Sequence, residues 1–207
     1  MAKILGIFQG KQKTYNSLIL KSLLTGSKTT MQIAEFICEN SRELKFETNR
    51  KNEVRKIYSV IAREGSRLDE LTQKQYITRK GLMWNLTLKG MCVSLTLFET
   101  IDEIKDYNTI KEFINVDELN SILTRFIKSL EKKNSPLASI VKSSNLMKAK
   151  KRIEKNMGSL QYWELILWNI RNCTEGMVKR GADIDGMSIS QVEALIANEL
   201  AFKVILA

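Results

Sequence analysis

The chain has 207 residues, 43% apolar and 27% charged, a composition that predicts a soluble globular protein of one large or two small domains and excludes wholesale disorder. No apolar run reaches the roughly 18 residues that a membrane span needs, and the N-terminal MAKILGIF is too short for a signal-peptide core with its flanks, so the expected compartment is the cytoplasm. The net charge of +10 is segregated: residues 1–98 hold 17 Lys+Arg against 8 Asp+Glu, net +9, whereas residues 99–207 hold 16 against 15, net +1.

Lys3 to Phe8 is apolar enough for an edge strand or the first turn of a helix, and its pattern leaves both open. From Tyr15 the spacing Tyr15, Leu18, Ile19, Leu23 is helical, and Gly26 is a natural stop. Ser27 to Thr30 supplies hydroxyl caps for a second helix, TTMQIAEFI, with Ile33, Ala34 and Ile37 as its inward stripe. After the stretch CENSRELKFETNRKN, Asn49 can cap a long helix running to about Thr72. Val54, Ile57, Ile61, Gly65, Leu68 and Leu71 share one side of it at spacings of three or four. Its outward residues toward the C-terminal end would be Ser59, Ala62, Arg63, Ser66 and Arg67. Arg50, Lys51, Arg55 and Lys56 lengthen its basic surface or pack on another subunit.

Tyr76 to Gly90, YITRKGLMWNLTLKG, predicts a short two-stranded hairpin followed directly by a helix. Tyr76 and Ile77 favour β structure, and Arg79-Lys80-Gly81 supplies a charged turn with a glycine. Leu82, Trp84 and Leu86 then alternate with Met83 and Asn85. Thr87 can cap the next helix, and Leu88 to Phe98 is apolar on several sides, as a buried helix would be.

Residues 99–207 read as helical throughout. Asp117 can cap an amphipathic helix through Leu119, Ile122, Leu123, Phe126, Ile127 and Leu130 to Lys133, and Asn134-Ser135-Pro136 breaks it. Lys142 to Lys155 carries six Lys/Arg against Glu154 alone, the pattern of a solvated basic face. A further helix opens at Ser159, with Leu160, Trp163, Ile166, Leu167, Ile170 and Met177 on its main buried side and Leu165 and Trp168 on another. Gly181 to Gly186, GADIDG, is a loop with too few and wrongly spaced aspartates for calcium. Ser190 and Glu193 predict a capping box for the last helix, which ends in the apolar FKVILA. Aliphatic side chains left in water would forgo several kcal/mol at about 25 cal/mol per Å². A homodimer through the C-terminal helices is therefore expected.

Catalysis is not expected. The chain has no histidine, no Gly-rich phosphate loop and no G-x-S-x-G elbow. Cys38, Cys92 and Cys173 are odd in number, far apart and outside any CxxC, which argues against structural zinc; no cofactor is implied. Trp163 and Trp168 suit core packing better than the wall of a ligand pocket.

The order helix, helix, long helix, hairpin, helix, with T-x-x-x-I-A at Thr29 to Ala34, the Tyr76-Ile77 strand start and the LTLKG exit, resembles the winged helix-turn-helix family of DNA-binding regulators over about residues 12–98. The resemblance implies a mainly α protein. Residues 1–98 would form a winged helix-turn-helix domain with a small β-hairpin wing, and residues 99–207 an all-helical dimerisation or effector domain. It implies sequence-specific binding of double-stranded DNA by a dimeric transcriptional regulator. The helix around Ser59 to Leu71 would enter the major groove, with Arg63 and Arg67 on guanine and Ser59 and Ser66 on bases or phosphates. Thr29, Thr30 and Gln32 would hold phosphate, Arg55 and Lys56 would extend the contact, and Arg79 and Lys80 would touch the flanking backbone or the minor groove. The basic balance of residues 1–98 favours this over the alternative, a scaffold protein whose winged helix holds protein partners while the helical half oligomerises.

Overall fold

A computed structural model of the chain describes residues 5–10, 13–41, 50–100, 103, 148, 151, 155 and 160–196. They form a mainly helical structure with one small antiparallel sheet. The choice left open at Lys3 to Phe8 resolves, in its described part, into a single 3-10 turn, Gly6–Phe8, that buries Ile7 and Phe8. Helix α1, Lys13–Leu24, buries Ile19, Leu20, Leu23 and Leu24. Its inward Asn16 donates from Nδ2 to the Ile7 carbonyl at 2.8 Å, tying the turn to the helix. The chain reverses at Gly26, whose φ of 122° is open only to glycine at low cost. Two residues of strand, β1 (Lys28–Thr29), lead into α2, Thr30–Asn40. There Thr29 and Gln32 close a reciprocal capping box, and Ile33, Ala34 and Ile37 are buried as their spacing predicts.

The long helix expected from Asn49 to about Thr72 is two helices. The first, α3, is Arg50–Ala62 and buries Glu53, Val54, Ile57 and Ile61; the second, α4, is Arg67–Gln73 and buries Leu68 and Leu71. The break has a local cause. Gly65 takes a φ of 69°, and Asp69 accepts from its N–H through Oδ2 at 2.8 Å. Ser66 turns inward and donates from Oγ to the Ile61 carbonyl at 2.5 Å. The three-and-four spacing of apolar residues continues across this turn because α3 and α4 bury their stripes in the same core.

Strands β2 (Ile77–Lys80) and β3 (Met83–Leu86) form the expected hairpin, with Arg79 paired to Trp84 and Lys80 to Met83. Two details differ from the sequence pattern. The turn is Gly81-Leu82, so Leu82 stands at the tip instead of alternating with Trp84 along the strand. And β1 adds a third strand, Lys28 beside Trp84 and Thr29 beside Met83, giving the order β1-β3-β2. Helix α5, Leu88–Leu95, is buried from Lys89 to Leu95, and its N-cap Thr87 accepts from the Gly90 N–H. A Cβ at Gly90 would stand 1.9 Å from the Tyr76 carbonyl oxygen, so only glycine lets α5 lie this close to the hairpin root.

Helix α6, Leu160–Lys179, packs on α5 and buries Leu167, Ile170, Cys173, Met177 and Val178. The GADIDG segment is a loop, as expected, and leads to α7, residues 189–196. The capping box of α7 is Ser188 with Gln191, two residues earlier than the expected Ser190 with Glu193. The Ser188 N–H donates to Gln191 Oε1 at 2.8 Å, and the Gln191 N–H to Ser188 Oγ at 3.3 Å. Among the described residues, Ile184, Val192 and Ile196 belong to the same hydrophobic core as α1 to α5. The helix from Asp117 to Lys133, its break at Asn134-Ser135-Pro136, most of the Lys142–Lys155 run and the tail from Ala201 lie outside the described residues.

Candidate nucleic-acid interface

Helix α3 is held by a single narrow stripe, and the remaining circumference faces solvent. Val54, Ile57 and Ile61 dock it on α2, while Arg50, Lys51, Arg55, Lys56, Tyr58, Ser59, Val60 and Ala62 are exposed. At 100° per residue, Asn52, Arg55, Ser59 and Ala62 fall near the centre of the exposed face, with Tyr58 and Val60 on opposite flanks. Arg50 pairs with Glu39 at the end of α2, and Lys56 reaches Glu53 at 3.0 Å. Lys51, Arg55, Arg63 and Lys80 have no ion-pair partner among the described residues. The Ser59 hydroxyl donates to the Arg55 carbonyl at 3.0 Å within the helix.

Two of the residues expected to point outward do not. Ser66 is buried by its bond to Ile61, and Arg67 lies against Glu70 at 2.6 Å with only 16% of its side chain exposed. Burial would raise the Glu70 carboxyl, but the hydrogen bonds and charges of Arg67 and Lys74 outweigh it and hold the group below its ordinary value. Arg67 is therefore occupied in fixing α4. The helix break rotates these two residues out of the α3 face, and Arg63, in the turn, remains on the exposed side.

At the start of α2 the three named polar residues are engaged with the fold. The Thr29 N–H donates to Gln32 Oε1 at 2.8 Å, and the Gln32 N–H to Thr29 Oγ1 at 3.3 Å. Thr30 Oγ1 accepts from the Trp84 indole N–H at 2.9 Å, which joins the helix start to β3. Trp84 in turn lies beneath the Arg79 guanidinium, 5.2 Å from carbon to ring centroid, and Arg79 Nε donates to the Gly81 carbonyl at 2.9 Å. So Thr30, Trp84, Arg79 and the hairpin tip form one braced unit, with Lys80 exposed beside it. Among the described residues, the large apolar side chains left in solvent are Met31 in the first turn of α2, Tyr58 and Val60 on α3, and Leu82 at the tip. Tyr58, Val60 and Leu82 lie on α3 and the hairpin, which carry exposed cations, whereas Met31 lies on α2, which has none. Sequence spacing puts Leu82 in a strand and leaves Met31, Tyr58 and Val60 off the buried stripes of their helices, without indicating whether another element covers them.

A second cluster sits behind the hairpin. Lys89 is almost fully buried and donates from Nζ to the carbonyls of Asp185 at 3.0 Å and Met187 at 2.7 Å; its ammonium lies 4.6 Å from the Tyr76 ring centroid. Tyr76 donates its hydroxyl to Asp185 Oδ1 at 2.5 Å, Lys74 reaches Asp185 Oδ2 at 3.7 Å, and the Ile189 N–H donates to Gln75 Oε1 at 3.3 Å. Burial pulls the Lys89 ammonium below its ordinary value against the opposing pull of Asp185 and Asp183. Burial, the Asp185 hydrogen bond and the charges of Asp185 and Asp183 all push the Tyr76 hydroxyl up. These groups are saturated with protein partners, so the cluster fastens the GADIDG loop to the hairpin root. A lone lysine in the apolar run LTLKGMCVSL was the available signal, since a buried ammonium must find acceptors.

Chemistry elsewhere is quiet. Burial pushes the Cys92 thiol up to about 12, leaving almost no thiolate near neutrality. Among the described residues no three His, Cys, Asp or Glu side chains converge as metal ligands would, and no helix is long and apolar enough to cross a membrane. No protein-family model, no curated protein and no solved structure matches this chain.

Proposed function

We propose that the chain is a double-stranded DNA-binding protein with a winged-helix reading head, acting as a homodimeric transcriptional regulator. The observation that carries this reading is the exposed cationic face of α3, docked on α2 by one apolar stripe, together with a three-stranded sheet whose hairpin carries Arg79 and Lys80 next to its turn. The order α1, β1, α2, α3, α4, β2 and β3 supports a winged helix with one short extra helix, α4, between α3 and the hairpin. In this reading α3 enters the major groove, which admits one helix and displays a distinct edge pattern for each base pair. Arg55 and Arg63 supply base contacts, and Lys51, Lys56 and Ser59 reach bases or the groove wall. Lys80 and the braced Arg79 neutralise phosphate beside the groove. Ser66, Arg67 and the Thr29–Gln32 pair shape the scaffold. Self-association through the C-terminal helices rests on the apolar ending FKVILA and would favour pseudo-palindromic sites.

The test is selection from a random duplex pool with the full chain. Enrichment of one motif, with two half-sites related by a dyad, is the expected result. Recovery of no duplex above background would remove the reading. The exposed Tyr58, Val60, Met31 and Leu82 give the scaffold alternative its one specific support, since apolar residues in solvent also suit a protein partner. The net +9 of residues 1–98 weighs toward a polyanion.

A further inference from the structure

The tip of the hairpin combines features that phosphate binding alone does not require. Leu82 is 74% exposed, the most exposed large apolar residue among those described. It occupies a two-residue turn whose preceding Gly81 holds a φ of 61°. The turn is stiff: Arg79 bonds the Gly81 carbonyl and covers Trp84, and Trp84 is fixed to Thr30. A leucine needed only to close a turn could be any polar residue. Here an apolar side chain is held out on a rigid, cationic support, with Arg79 and Lys80 beside it and no acidic residue in the sequence between Glu70 and Glu99. Two cations on one strand thus precede a single exposed group that water disfavours.

We infer that Leu82 is an apolar wedge that enters the minor groove and partly unstacks one base step, bending the duplex. This rests on the duplex-binding reading above. The narrow groove between two phosphate strands is the place where flanking cations and a central apolar group are satisfied together. Leucine is among the side chains that proteins insert there, with bends of roughly 20–90° toward the major groove. Pyrimidine–purine steps unstack most easily, so the wedge selects a TA or CA step at a fixed distance from the α3 contacts, without a hydrogen bond to any base. The hairpin then contributes shape selectivity in addition to charge.

The experiment uses the full chain and a mixed-sequence duplex with one central TA step, carrying 2-aminopurine beside the step and a donor–acceptor dye pair at its ends. The expected result is a rise in 2-aminopurine emission and in energy transfer at saturating protein. Leu82→Ala should bind with loss of both rises and unchanged circular dichroism, and Leu82→Met should restore them. Lys80→Ala should need more protein yet reach the wild-type rise. A wild-type complex that forms by anisotropy with neither rise, or Leu82→Ala signals equal to wild type, would overturn the wedge and leave duplex binding intact. Absence of any anisotropy change at low salt would overturn both.

Discussion

Trp84 donates its indole N–H to the hydroxyl of Thr30 at 2.9 Å, and this bond joins the β1–β3 pairing in fastening the hairpin to the start of the second helix. The indole is nearly buried, so an unpaired N–H there cannot turn to water. Thr30→Val keeps the shape and removes the acceptor. The expected cost is about 1–3 kcal/mol, or roughly 2–4 °C in Tm per kcal/mol for a chain of this size. Thr30→Ser should return the Tm to near wild type. Equal melting of Thr30→Val and wild type by circular dichroism would show that the bond contributes nothing.

The break between α3 and α4 separates two kinds of arginine. Arg55→Ala and Arg63→Ala should relax preference at a defined base pair, by about 1–3 kcal/mol where a bidentate contact is lost. Arg67→Ala should leave the affinity for every duplex near wild type and lower stability, because Arg67 lies on Glu70 at 2.6 Å. Anisotropy titrations on a panel of single-base variants, with urea unfolding beside them, separate these outcomes. A loss of base preference in Arg67→Ala would mean that α4 takes part in reading.

Two glycines predict opposite responses to the same change. At Gly90 an added methyl would meet the Tyr76 carbonyl at 1.9 Å, a backbone atom that can yield only if α5 leaves the hairpin. Gly90→Ala should cost at least the roughly 1–3 kcal/mol of ordinary overpacking and reduce soluble yield. At Gly176, inside α6, the nearest group is Nη1 of Arg180 at 3.4 Å, the far end of a flexible side chain. Gly176→Ala should stabilise by up to about 1 kcal/mol through helix propensity. Thermal melts of the two variants check both signs.

The Tyr76 hydroxyl gives a pH signature. Its folded pKa lies above the unfolded value of about 10. The folded chain therefore keeps a proton that the unfolded chain releases, so the contribution is full below pH ~10 and is lost as pH rises beyond it. Lys89, pulled down chiefly by burial, works the other way: the penalty on its charge is relieved as pH rises toward its unfolded value. Comparing wild type with Tyr76→Phe isolates the tyrosine. The difference in urea unfolding free energy between the two should shrink above pH ~10, and a constant difference would show that the hydroxyl does not titrate in this way.

Local patterns carried much of the fold. The stripe Ile33, Ala34, Ile37, the hairpin around Gly81 and the burial of α5 all follow from spacing and turn chemistry that act within a few residues. Features decided by distant contacts were not legible. The strand Lys28–Thr29 is too short for alternation and exists only because β3 lies beside it. The break at Gly65 leaves the apolar spacing intact, so spacing alone predicts one continuous helix and turns Ser66 and Arg67 outward, whereas both lie against the fold. Ser190 and Glu193 offer the same spacing as the Ser188–Gln191 box two residues on, so spacing alone does not choose between them. Nothing local marks Asp185 as the partner of Tyr76 and Lys89, which lie about a hundred residues earlier in the chain.

The central claim is that the exposed cations of α3 and the hairpin tip meet duplex phosphate. It is tested most directly by the salt dependence of binding to a single duplex. About six phosphate contacts predict a fall of log affinity on log salt with a slope near −5, reduced by about 1 in Lys80→Ala. A titration that is flat in salt, or no binding at low salt, would contradict the account.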